Sequence, residues 1–206
     1  MSTIIPWIRN LFGDGTSLTR PLTKVAIIGL TEAGQRALLE RLSDTPISPV
    51  TINGCHAAWQ GSSKTLGLAL NAVEVGIDGF RNWRVSVASL YTDADALIVV
   101  VNILHSIRLE ELRCELDSIV NGRWERGEIQ TYYIARKGIP WLVLANFEDQ
   151  MVDEERAKEQ VASLGLDGMD LDWSLHPIST ATGQGVAESI QCLTQTLELN
   201  VKSTKP

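Results

Sequence analysis

The chain has 206 residues, 44% hydrophobic and 21% charged, with a formal net charge of -7. That length suffices for one core of ordinary domain size, and an acidic chain with no stripe of Lys and Arg excludes nucleic acid as a partner. Cys55, Cys114 and Cys192 are too scattered for a disulfide framework or a CxxC metal pattern, and His56, His105 and His176 lack HxxxH or HxH spacing, so no metal site and a reducing, cytoplasmic setting are expected.

The first ordered element expected is a short amphipathic helix. Ile4, Trp7, Ile8, Leu11 and Phe12 fall on one side of IIPWIRNLFG, with Gly13 as a stop. The stretch is too short to span a bilayer but suits an interface, so contact with an intracellular membrane or a protein partner competes with packing in a groove of its own domain. Ser2 stands where N-myristoylation requires glycine. Residues 1–22 are assigned to this helix and a linker, 23–200 to the main domain and 201–206 to a polar tail.

From Lys24, KVAIIGL predicts a β-strand, and Ala33, Ala37, Leu38 and Leu42 then recur at helical spacing. Cys55–Trp59 and Leu66–Val75 predict a hairpin joined by Gln60-Gly61-Ser62-Ser63. ALIVVVN at 96–102 and IPWLVLAN at 139–146 are apolar without alternation, as in parallel strands covered on both faces. Between them, Leu109, Leu112, Leu116 and Val120 mark the buried stripe of a helix, with Glu110, Glu111, Arg113, Glu115 and Asp117 opposite. A helix over about 153–164, a strand at 175–180 and a terminal helix from Gly185 to about Leu199 complete a doubly wound α/β order.

In such a sheet the ligand lies beyond the carboxyl ends of the strands. The first loop there, Gly29-Leu30-Thr31-Glu32-Ala33-Gly34-Gln35-Arg36, keeps both glycines of GxxxxGK[ST] and departs at its last two positions. It resembles the GLDAAGKTT phosphate loop of the ADP-ribosylation-factor branch of the small GTPases. That resemblance implies a P-loop fold, a mostly parallel sheet with helices on both faces, and an N-terminal amphipathic helix released on activation.

Carried over residue by residue, the resemblance also predicts losses. Gln35 replaces the lysine that neutralises the outer phosphates, and Arg36 replaces the hydroxyl that ligates magnesium. Arg36 is either a substitute cation or a solvent-facing helix residue. Gly76-Ile77-Asp78-Gly79-Phe80 aligns with DxGGQ and lacks both functional side chains, while a two-residue shift would offer Asp78; Thr51 is a weak counterpart of the first switch threonine.

WLVLANFED resembles the strand and loop carrying NKxD, with Asn146 and Asp149 in place and Phe147 replacing the lysine. Thr180 and Ala181 fall in the matching closing loop, where the alanine N–H meets the guanine oxygen. Asn146 and Asp149 also read as ordinary turn formers. GTP or GDP therefore stay open as ligands, and Mg2+ lacks its expected donors.

The segment 121–137, with Arg123, Trp124, Arg126, Tyr132, Tyr133 and Arg136, reads either as a protein-binding surface or as a helix extension. The resulting expectation is an ADP-ribosylation-factor-like pseudo-GTPase, with no catalytic residue assigned, that binds protein partners in membrane-associated trafficking. Its alternatives are a divergent GTP-binding switch with weak or partner-assisted hydrolysis, and a constitutive GTPase-like subunit of a larger complex.

Overall fold

The computed structural model describes residues 21–52, 55–75, 81–104, 108–122, 134–147 and 154–203. The N-terminal stretch carrying Ile4, Trp7, Ile8, Leu11 and Phe12, the 76–80 segment, Asp149 and the aromatic part of the 121–137 segment lie outside the described residues.

Seven strands form one sheet. They are β1 (Thr23–Leu30), β2 (Ser48–Ile52), β3 (Cys55–Ser63), β4 (Leu68–Val75), β5 (Ala96–Asn102), β6 (Pro140–Asn146) and β7 (Asp172–Ile178), in the order β2-β3-β4-β1-β5-β6-β7. The run from β4 to β7 is parallel, and β2 and β3 join antiparallel at one edge. The described helices are α1 (Gln35–Leu42), α2 (Arg81–Thr92), α3 (Leu109–Asn121), α4 (Glu154–Ala162) and α5 (Val186–Ser203). None is long and apolar enough to cross a membrane.

The sheet divides two apolar cores because successive strand residues point to opposite faces. Ala26, Ile28, Val99 and Val143 pack with Leu112 and Leu116 of α3 on one face. Val25, Ile27, Ile98 and Leu142 pack with Leu38 of α1 and Ile190 of α5 on the other. β5 and β6 are internal strands, buried along nearly their whole length, which accounts for their unbroken apolar runs.

Several details differ from the sequence reading. The hairpin turn is at 64–67, and Gln60 to Ser63 continue β3. The flank explains this: Asp44 N–H donates to Ser62 O at 3.1 Å and Ser62 N–H to Thr45 Oγ1 at 3.2 Å, which holds these turn-forming residues extended. Strand β2 and helix α2 were not foreseen. In α3, Ile119 rather than Val120 completes the buried stripe, and Glu115 is buried instead of solvent-facing. β7 starts at Asp172 and ends at Ile178, which leaves Ser179 and Thr180 in the loop beyond it.

Candidate nucleotide site

The carboxyl ends of β1, β5, β6 and β7 bring the phosphate-loop candidates together with Asn146 and Thr180. The loop leaves β1 at Leu30 and turns through the Ala33 N–H to Leu30 O bond at 3.0 Å before entering α1 at Gln35. Two glycines have steric reasons. A Cβ at Gly29 would meet the Val100 carbonyl oxygen at 2.9 Å, and Gly34 sits at φ 103 with Asn146 Nδ2 and Thr180 Oγ1 within 2.8 Å of where its Cβ would be. Glu32 is the one non-glycine among the described residues with positive φ, at 66, a conformation that carries strain.

Gln35 is 6% exposed and turns inward. Its Nε2 donates to Leu30 O at 3.2 Å and lies 3.5 Å from Gly29 O. Arg36 points away from the loop. Its guanidinium lies 4.0 Å from the centroid of the Trp59 ring on β3, and its Nε donates to Glu40 Oε1 at 3.0 Å. Exposed contacts of these two kinds contribute about 0.3–1 kcal/mol each. Arg36→Ala is accordingly expected to cost no more than about 1.5 kcal/mol in urea unfolding and to leave nucleotide affinity unchanged. A clear affinity loss would restore Arg36 as a substitute cation.

Asn146 is 1% exposed and ties two loops together. Its Nδ2 donates to Ala33 O at 2.9 Å, and its Oδ1 accepts from Thr180 N–H at 3.0 Å. Phe147, at the expected lysine position, is buried in the core on the α3 face. Ala181 is exposed in the closing loop.

Three contributors escaped the sequence reading. Arg41, in the last turn of α1, donates from Nε to Thr180 O at 2.6 Å and from Nη2 to Ala181 O, so it fixes the closing loop from behind. Arg108, just before α3, donates from Nη1 to Thr31 O at 2.8 Å, and Thr31 Oγ1 donates to Glu74 Oε1. Only the basic residue in the last turn of α1 had a sequence signal, and it is a common one. Between the loop and α3 lies a cleft of about 220 Å3, lined by Leu30, Ala33, Val100, Leu109 and Leu112 with Arg108 among its polar residues. Farther along α3, Arg113 holds the exposed Glu110 carboxyl below its ordinary range.

The loop suits an anion approached through backbone N–H groups at a helix N-terminus. It does not suit magnesium. No hydroxyl follows Gly34 in Gln35-Arg36-Ala37, and the Thr31 hydroxyl and Glu74 carboxylate bond each other.

Comparison with known proteins bears on the family and the fold. A model of the ADP-ribosylation factor family matches residues 14–197. ADP-ribosylation factor-like protein 6 of Caenorhabditis briggsae is 23% identical over 201 residues, covering 96% of each chain. ADP-ribosylation factor-like protein 3 of Chlamydomonas reinhardtii is 28% identical over 173 residues, covering 82% of this chain and 86% of its own. A crystal structure of an ADP-ribosylation factor-like GTP-binding protein, small COPII coat GTPase SAR1, from Encephalitozoon cuniculi in complex with GDP, superposes with a TM-score of 0.65. It is 14% identical, with 96% of this chain and 86% of that one covered.

Proposed function

Since this chain belongs to the ADP-ribosylation factor family, we propose that it is a pseudo-GTPase, a small-GTPase fold that binds protein partners near a membrane and does not hydrolyse GTP. The observation that carries this reading is Gln35. At the lysine position stands a buried neutral amide whose donor is turned onto Leu30 O of its own loop. Arg36, the nearest alternative cation along the chain, is held by Glu40 and Trp59.

Titration calorimetry with GDP and GTP, each with and without magnesium, tests the proposal. The expected result is no magnesium-dependent GTP binding of micromolar affinity or tighter; such binding would make the protein a divergent switch. That second reading has one observation in its favour: Asn146, at the asparagine position of the base-recognition motif, joins Ala33 to Thr180; Asp149 and Ala181 are the guanine contacts it would use. The N-terminal residues Ile4, Trp7, Ile8, Leu11 and Phe12 supply the proposed membrane or partner contact.

A gain-of-function change probes the same site. A hydrogen bond to a charged group contributes about 1.5–3 kcal/mol, so Gln35→Lys is expected to raise GDP affinity by roughly ten- to a hundredfold. Adding Arg36→Thr supplies the missing hydroxyl, and GTP binding should then acquire magnesium dependence. Unchanged affinity in both variants would place the defect elsewhere than in these two side chains.

A further inference from the structure

We infer that Arg108 is a positioning residue that, together with Gln35, holds the phosphate loop in its anion-cradling shape through the protein's own bonds, so that the loop is ordered without nucleotide. This deepens the pseudo-GTPase reading and takes its functional meaning from it. Four loop carbonyls have protein donors. Leu30 O accepts from Ala33 N–H at 3.0 Å and Gln35 Nε2 at 3.2 Å, Thr31 O from Arg108 Nη1 at 2.8 Å, Ala33 O from Asn146 Nδ2 at 2.9 Å, and Gly34 O from Leu38 N–H at 2.9 Å.

Arg108 makes the longest-range of the contacts to Thr31. Glu111 accepts from its Nε at 3.2 Å and lies 3.5 Å from its Nη2, which leaves Nη1 aimed at a carbonyl 77 residues earlier in the chain. On its other side, the Thr31 hydroxyl donates to Glu74 at the end of β4. Thr31 is thus pinned by the start of α3 and by β4, directly before Glu32 with its positive φ. Strained backbone of this kind persists only where its surroundings over-determine it. A rigid guanidinium fork can hold a carboxylate and a carbonyl at once, whereas an ammonium point charge cannot fix both in one geometry.

The test is 15N relaxation on the full chain stripped of nucleotide. Order parameters over 30–34 are expected near the rigid-backbone value of about 0.85, and Arg108→Ala should lower those of Thr31 and Glu32 below about 0.6. Arg108→Gln keeps a donor without the charge and should recover part of the loss. Glu111→Ala, a milder change on the helix surface, should give an intermediate loss and carries the test if Arg108→Ala does not fold. Unchanged order in both Arg108→Ala and Glu111→Ala would overturn the inference, as would a wild-type loop below about 0.6 that becomes rigid only with GDP. Calorimetry separates the two readings: tight magnesium-dependent GTP binding with a rigid emptied loop would end the pseudo-GTPase proposal and leave Arg108 in its role.

Discussion

Replacing Gly34 with alanine is expected to lower the melting temperature by about 6–12 °C, from a destabilisation of about 3 kcal/mol or more at about 2–4 °C per kcal/mol for a chain of this size. Two costs combine. The backbone at φ 103 lies where side-chain-bearing residues are strained, and the new Cβ would stand 2.7 Å from Asn146 Nδ2 and 2.8 Å from Thr180 Oγ1. Neither neighbour can retreat freely, since Asn146 is bonded on both sides of its amide and Thr180 is 6% exposed. Gly67→Ala is the control. Gly67 has a φ of 69 and no atom within 4 Å of a built Cβ, so it should show the backbone strain alone, about 1 kcal/mol. Equal losses in the two variants, measured by thermal unfolding, would mean that the contacts around Gly34 are not tight.

The contrast between these glycines shows what a sequence carries. Both are punctuation in the chain, and only the approach of β6 and of the loop after β7 makes one of them indispensable. The central sheet was legible because β1, β5 and β6 are apolar runs too short and too uniform for anything but covered parallel strands. Helix α2 was not, because its described buried residues, Val87, Ala88 and Tyr91, give a stripe of about one turn, and no glycine or proline follows Thr92 to mark its end. The turn at 64–67 was misplaced because Gly61, Ser62 and Ser63 are residue types that favour turns, while Thr45 and Asp44, from another segment, hold Ser62 extended.

The site was legible to a similar, partial degree. Motif spacing located the loop from Gly29 to Arg36 and the position of Asn146, because a strand, a tight turn and a helix impose that spacing locally. Spacing is silent on contacts that close over long stretches of chain. Arg41 reaches Thr180 across 139 positions and Arg108 reaches Thr31 across 77; in the sequence each is one arginine among several on a helix. Nor could spacing say which way a side chain turns. Gln35 faces the loop and Arg36, its neighbour, faces Trp59, because α1 rotates successive residues by about 100°.

Asn146→Ala should be destabilising by about 2–4 kcal/mol, through two lost partners and not through lost volume. Truncation leaves Ala33 O and Thr180 N–H without the amide that now joins them, and a buried polar group left unpaired costs about 1–3 kcal/mol. Partial access of water to the loops lowers the sum, so the expected fall in melting temperature is about 5–15 °C. Asn146→Asp separates the two halves of the bridge. The carboxylate can still accept from Thr180 N–H, but it sets an oxygen against Ala33 O at the place of a 2.9 Å hydrogen bond, which favours the protonated form and raises the folded-state pKa above the unfolded one. A raised pKa contributes stability that is complete below the unfolded value and is lost as pH rises through the folded value. The aspartate variant should therefore approach wild-type stability only in acid and lose it toward neutral pH, whereas the alanine variant should show no such added dependence. If both variants melt alike at every pH, the bridge between the phosphate loop and the closing loop is not formed through this side chain, and the two ends of the site are coupled by packing alone.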